Sequence, residues 1–217
     1  MRDYTNIDKY LDELQKDIYP QTPDPGHTAW AEDAIYSLCK DIWGKFDTVL
    51  DVGCGVGFCQ PIFEDQLKQY TGITLGESDI NIALEHDRNV FKGDCTFLPY
   101  PDTIFDLIFA RHILEHSPMP LLTLMEWHRV SKKYLVLVFP AWEYWLVGGK
   151  NHYSMLTKEQ LWFLFERSGW KVLEQYDFMT SDDRFMEFFR TDYPENDRNW
   201  VGSPKIVEYR YLLEKIE

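Results

Sequence analysis

An apolar stretch, Thr48-Val49-Leu50-Asp51-Val52, runs directly into alternating glycines, Gly53-Cys54-Gly55-Val56-Gly57. A strand that is apolar on both faces belongs inside a parallel sheet. Glycines at its carboxyl end let the backbone approach a ligand where a Cβ would collide. The dinucleotide fingerprint G-x-G-x-x-G would need glycine at 58 as well as at 53 and 55, and Phe58 stands there. Pyrophosphate packing against the following helix is therefore disfavoured, and with it a nucleotide-binding oxidoreductase. Asp51, in the strand ahead of the turn, suits an ammonium better than a phosphate. The pattern points to a cationic, amino-acid-like ligand.

Around this turn, strands alternate with amphipathic helices, the signature of an α/β fold. The spacing predicts a first helix with Ile7, Tyr10, Leu11, Leu14 and Ile18 on one face, stopped by Pro20. A second helix carries Ala31, Ala34, Ile35, Leu38 and Ile42 as its buried stripe. Both precede the first strand and read as an N-terminal helical cap. After the glycine turn comes a helix with Cys59, Ile62, Phe63 and Leu67 inward and Pro61 in its first turn. Residues 70–75 form the second strand, and Ser78 is the expected N-cap of a helix over residues 79–86. Residues 89–92 and 105–110 are the next two strands. Leu121, Leu122, Met125 and His128 mark a helix, with His128 expected on its apolar face, and residues 134–139 form a fifth strand. Thr157-Lys158-Glu159-Gln160 is a capping-box pattern opening a helix with Leu161, Leu164, Phe165 and Ser168 on one face, closed by Gly169. Two last strands cover residues 170–176 and 206–213. The connection between them is too long for a plain turn and is read as a functional insertion.

The 217 residues leave room for one ordinary domain. We expect residues 1–45 to form the cap, 46–177 the ligand-binding core, and 178–217 a lid-like connection with the last strand. The net charge of −14, with no basic run longer than Lys132-Lys133, argues against nucleic acid or an anionic membrane, because counterion release needs clustered cations. The longest charge-free run, 12 residues from Val52 to Phe63, contains three glycines and does not read as a membrane helix. Met1-Arg2-Asp3-Tyr4 leads into mixed charge and not into the apolar core of a signal peptide. Cys39, Cys54, Cys59 and Cys95 are too scattered for a disulfide framework and form no Cys-x-x-Cys pair. A soluble, cytoplasmic protein is expected. No metal site is expected either: Asp182-Asp183 has no neighbouring His or third acid.

Two further blocks follow the glycine turn: Gly93-Asp94-Cys95-Thr96-Phe97-Leu98-Pro99-Tyr100-Pro101-Asp102, then Phe105-Asp106-Leu107-Ile108-Phe109-Ala110-Arg111-His112-Ile113-Leu114-Glu115-His116. In this order and spacing, over roughly residues 45–177, the chain resembles the class I S-adenosylmethionine-dependent methyltransferases, in particular the type 11 group. The resemblance implies a doubly wound, seven-stranded, mainly parallel sheet whose last strand is antiparallel. It implies S-adenosylmethionine as cofactor, with Asp51 to Gly57, Cys54 included, around its methionine part and Gly53 and Gly55 nearest. Asp94 would accept from the adenine amino group and the Cys95 N–H would meet the ring edge. Ala110 and Arg111 would contact the amino-acid moiety. The family usually ends its second strand with an acid that binds the ribose hydroxyls, whereas Gly72-Ile73-Thr74-Leu75 places threonine there. Thr74 and Leu75 resemble the cyclopropane-synthase-like branch, and Glu77 or Asp79 would supply the carboxylate.

The acceptor site is sought after the fifth strand, in Pro140-Ala141-Trp142-Glu143-Tyr144-Trp145-Leu146-Val147-Gly148-Gly149-Lys150-Asn151-His152-Tyr153. Open α/β sheets place ligands at that end. Trp142, Tyr144, Trp145 and Tyr153 would wall a small-molecule substrate, with Glu143 as polar anchor. The later segment with Phe185, Phe188, Phe189, Tyr193 and Trp200 would close over it, or those rings would make a homodimer contact. An oxygen or nitrogen acceptor must lose a proton, and histidine suits that task near neutrality. His152 is the first choice and His116 the second; His112 also lies near the mouth, in a block shared across the family. Glu115 is read as packing or capping, and Cys54 as a short side chain against the cofactor. The alternative to a methyltransferase is a catalytically silent, cofactor-binding partner subunit.

Overall fold

The structure, a computed structural model, describes residues 5–15, 25–141, 151–179 and 206–217. Its elements run α1 (Thr5–Gln15), α2 (Pro25–Cys39), β1 (Thr48–Val52), α3 (Gln60–Asp65), β2 (Gln69–Thr74), α4 (Glu77–Glu85), β3 (Val90–Lys92), β4 (Phe105–Arg111), α5 (Pro120–Val130), β5 (Ser131–Pro140), α6 (Lys158–Arg167), β6 (Trp170–Met179) and β7 (Ile206–Lys215). Short 3₁₀ turns lie at Trp43–Lys45 and Leu114–His116. The seven strands form one sheet in the order β3-β2-β1-β4-β5-β7-β6. The pairings from β3 through β5 are parallel, and β7 runs antiparallel between β5 and β6. The fold is α/β and doubly wound.

Alternation along the strands sends residues into two cores. Leu50, Ile108, Leu135 and Leu137 face one layer with Trp127 of α5 and Phe165 of α6. Val49, Leu107, Phe109 and Val136 face the other, with Ala31, Ala34, Ile35 and Leu38 of α2 and Phe63 of α3. With a period of two, neighbouring side chains go to opposite layers, so a parallel strand covered on both sides is apolar almost throughout. β7 departs from this. Its residues from Val207 to Leu213 are buried, yet Glu208 and Arg210 are among them.

The strand order reverses between β1 and β4, which opens a crevice at their carboxyl ends beside the glycine turn. α2 packs directly on β5 and β7. It is a helix of the sheet's covering layer, whereas α1, through Leu11 and Leu14, reaches over the crevice.

Several local expectations are corrected. α3 ends at Asp65, and Leu67 turns outward with φ 59° instead of packing inward. Tyr10 of α1 is exposed, and Ile18 lies outside the described residues. α4 begins at Glu77 with Gly76, not Ser78, as N-cap. α5 is rotated from the face its leucines suggested: Thr123, Leu124, Trp127 and Val130 are buried, while Leu122 and Met125 are half-exposed. Tryptophan offers more area to bury than leucine, so Trp127 chose the face. His128 lies at the margin of the core, with Nε2 3.1 Å from the carbonyl of Ile216. The capping box of α6 is present, with Thr157 accepting from the Gln160 N–H and Gln160 accepting from the Thr157 N–H.

Candidate active site

A pocket of about 1010 Å³, open solvent at its mouth included, lies in the crevice. Gly53, Gly55, Thr74, Leu75, Asp79, Asp94, Cys95, His116 and Tyr153, all expected from the sequence, are on its wall. Asp51, Cys54, Ala110, Arg111 and His152 are not on it. Trp142, Glu143, Tyr144, Trp145 and the segment with Phe185 to Trp200 lie outside the described residues.

The glycine turn shows why glycine is required at two positions. Gly53 has φ 72°, and a Cβ there would sit 2.5 Å from Ile113 Cγ1. Gly55 has φ 53°, with no protein atom within 4 Å of an added Cβ. Gly53 thus lets β1 pass close to the chain leaving β4, whereas Gly55 leaves open space on the pocket wall.

Beneath the turn, Asp51 is buried and its Oδ2 accepts from the Tyr70 hydroxyl at 2.7 Å. Burial pushes its pKa up to about 7, against the Tyr70 hydrogen bond and the Arg111 charge. Cys54 is buried against Gly72, and burial and the Asp51 charge push its thiol well up, so it is a packing residue and not a nucleophile.

The two candidate acids for the second strand part company. Glu77 is exposed, with Oε1 on Lys92 Nζ at 2.7 Å. Asp79 is buried on the wall, beside Thr74. Its Oδ1 has no hydrogen-bond partner, and burial raises its pKa, opposed by the Thr74 hydrogen bond. Gly76 makes the position possible, because a Cβ there would lie 2.6 Å from Asp79 Oδ2. Across the pocket, Asp94 Oδ1 accepts from the Thr96 N–H at 2.7 Å, and Trp127 Nε1–H donates to the Cys95 carbonyl at 2.9 Å. These bonds hold the Asp94-Cys95 loop against the wall.

At the end of β4 the wall is made by His112 and Ile113, where Ala110 and Arg111 were expected. Ala110 belongs to the core, and Arg111 pairs with Glu208 at 2.9 Å. His112 has φ 51°, a conformation that non-glycine residues rarely adopt. Its Nε2 is 2.9 Å from Glu208 Oε1. Glu208 also accepts from Arg210, which reaches Asp33 and the Trp30 carbonyl on α2. Burial alone would raise the Glu208 pKa, but Arg111, His112 and Arg210 together hold it far below the usual carboxylate range. The sequence reading missed Glu208, since only the antiparallel insertion of β7 beside β5 brings it to β4. Its one visible signal was a pair of opposite charges, Glu208 and Arg210, inside an otherwise apolar strand.

A second group gathers at the pocket edge. His116 Nδ1 is 3.0 Å from the Asn151 carbonyl, and its Nε2 is 3.9 Å from Glu115 Oε1. The His116 and His152 rings meet edge to face at 4.8 Å. Burial pushes Glu115 up to about 8; it also lowers His116, opposed by the Asn151 hydrogen bond. Burial and the nearby His116 and His112 bring His152 to about 4.

Residues 50–139 match the family model described as "Methyltransferase domain". Over these residues the chain is similar to the class I S-adenosylmethionine-dependent methyltransferases of the type 11 group. The chain is 27% identical over 141 residues to a sterol 4-C-methyltransferase of Caenorhabditis elegans, a match covering 58% of this chain and 42% of that protein. It is 32% identical over 126 residues to 27-O-demethylrifamycin SV methyltransferase of Amycolatopsis mediterranei, covering 51% of this chain and 43% of that one. The chain thus spans under half the length of these two curated relatives. In fold it is similar to a SAM dependent methyltransferase from Archaeoglobus fulgidus, with a TM-score of 0.65, 18% identity, and coverage of 87% of this chain and 94% of the other.

Proposed function

We propose that this chain binds S-adenosylmethionine in the β1/β4 crevice and methylates an oxygen or nitrogen of a small molecule. The observation that carries the reading is Asp79, whose buried Oδ1 stands without a partner on the pocket wall beside Thr74. A buried carboxylate oxygen needs donors, and a ribose diol supplies two. Asp94 and the Cys95 N–H would take the adenine edge. Gly53 and Gly55 would meet the methionine end, with Asp51 beneath them as the acid that favours its ammonium, and His112 and Ile113 would stand where Ala110 and Arg111 were expected.

When bound, S-adenosylmethionine supplies an already activated methyl group. The protein's own task is alignment and exclusion of water. Proton removal falls to the wall. His152 is off the wall and too weakly basic to serve as the acceptor, so the role expected of it passes to His112. Glu208 Oε1 accepts from His112 Nε2–H, the arrangement by which a carboxylate orients an imidazole base. His116 is less suited, because its Nδ1 is engaged by Asn151 and its Nε2 turns to Glu115. Tyr153, with Trp142, Tyr144 and Trp145, would wall the acceptor. The names of the sterol and rifamycin relatives support a small-molecule acceptor.

Calorimetry with S-adenosylhomocysteine and Asp79→Asn tests the cofactor site; a loss of about tenfold or more in affinity is expected, and unchanged affinity overturns it. Metabolite profiling with methyl-labelled cofactor tests the transfer. A labelled small molecule is expected. Cofactor binding with no labelled product from any acceptor pool would identify a silent cofactor-binding subunit instead.

A further inference from the structure

We propose that Glu115, His116 and His152 form a divalent transition-metal site at the edge of the cofactor pocket. One donor atom from each lies within 4.8 Å of the other two. Two imidazoles and one carboxylate are a ligand set that zinc, iron(II), manganese(II) and cobalt(II) accept, with further positions left for water or substrate.

Glu115 is the second, independent observation. Its side chain is 1% exposed, and neither carboxylate oxygen has a hydrogen-bond partner. In its ionised form a carboxylate so placed needs a cation. The Arg111 guanidinium is committed to Glu208 at 2.9 Å. His116 Nε2 lies 3.9 Å from Glu115 Oε1, a spacing wider than a hydrogen bond and close to the ~3.4 Å that separates two ligands of one tetrahedral metal.

His116 is also oriented as a ligand. Its Nδ1–H donates to the Asn151 carbonyl, which fixes the tautomer and turns Nε2 toward Glu115, the outer-shell arrangement usual for metal-bound histidine. The Ser154 N–H, donating to the Glu115 carbonyl at 2.9 Å, ties the segment carrying His152 to the 3₁₀ turn carrying Glu115 and His116. Because His116 and Asn151 both line the pocket, a metal held here would present its open side to whatever occupies the acceptor end. An acceptor hydroxyl bound there would lose its proton more readily. The sequence shows no ligand spacing because the donors come from two segments on either side of β5.

The site stands on its own geometry and does not depend on methyl transfer. Metal-stripped protein would be titrated with cobalt(II), followed by visible absorption and by calorimetry. One cobalt per chain is expected, with ligand-field bands that zinc abolishes. Glu115→Gln and His152→Ala should each weaken cobalt binding by about 100-fold or more, ligand loss exceeding the 10–100-fold cost of outer-shell changes. A cooperative urea-unfolding transition, measured on the same variants, reports whether each is folded; should Glu115→Gln unfold the chain, His152→Ala, at a less buried position, decides. Absence of cobalt bands in folded wild-type protein overturns the proposal. So does cobalt affinity equal in wild type and a folded variant, which would place the ion elsewhere. Loss of cofactor binding with cobalt binding intact would refute the methyltransferase reading alone.

Discussion

Nε2 of His112, at the end of β4, lies 2.9 Å from Oε1 of Glu208 on β7. The two residues are nearly a hundred positions apart, and the bond ties the pocket wall to the strand that closes the sheet. Glu208 is fully buried and serves Arg111 and Arg210 as well. Replacing it leaves both guanidinium groups without this carboxylate. Glu208→Gln should cost about 3 kcal/mol or more in urea unfolding. Because its folded pKa is depressed, the Glu208 contribution is present above its ordinary 4.5 and is lost as the pH falls below that value. A variant whose stability matches wild type at pH 7 would show that the network is not a net support.

The two glycines of the turn should separate stability from binding. Gly53→Ala places a Cβ 2.5 Å from Ile113 Cγ1 at φ 72° and should destabilise the fold strongly. Gly55→Val incurs mainly the left-handed backbone penalty of about 1–2 kcal/mol, because no protein atom lies within 4 Å of the added Cβ. It should abolish S-adenosylhomocysteine binding in calorimetry while the melting transition stays cooperative. Equal melting losses in the two variants would contradict the geometry.

Asp51 gives a pH signature. Tyr70 on β2 and Arg111 on β4 act on it, and its charge acts in turn on Cys54 in the turn and Cys59 beyond it. Its pKa is raised from 3.8 to about 7, so between those values the folded state holds a proton that the unfolded state has released. Its contribution is therefore full below 3.8 and declines as the pH rises toward 7, by about 1 kcal/mol per pH unit. Asp51→Asn keeps an acceptor for Tyr70 and should remove that slope from the cofactor-free protein, as measured by urea unfolding at successive pH values. A slope unchanged in the variant would assign it to other groups.

The α6 capping box offers a test remote from the pocket. Thr157→Ala removes the acceptor for the Gln160 N–H and should lower stability by about 1 kcal/mol, with cofactor affinity unaltered. A change in affinity would mean that α6 is coupled to the site.

Much of the site was legible because its residues lie at strand ends. Gly53, Gly55, Thr74, Asp79 and Asp94 follow parallel strands, and parallel strands deliver their carboxyl ends to one edge of the sheet. The choice between Glu77 and Asp79 was not legible. Both open α4, and only the helix orientation sends one to Lys92 and the other to the wall. His152 was misplaced for a similar reason: its neighbours Asn151 and Tyr153 line the pocket, and the intervening side chain turns to His116 instead.

The sequence by itself determined the α/β alternation, the strand that enters the glycine turn and the α6 cap, since each rests on local periodicity or on backbone conformations open to particular residue types. The tertiary structure alone decided which faces were buried and which charges met. Trp127 overrode the leucine spacing of α5, and Glu208 reached His112 through the antiparallel pairing of β7 with β5. Glu115 joined His116 and His152 at the pocket edge across the intervening β5. Contacts between residues distant in sequence depend on the register and packing of whole elements, and no local pattern encodes them.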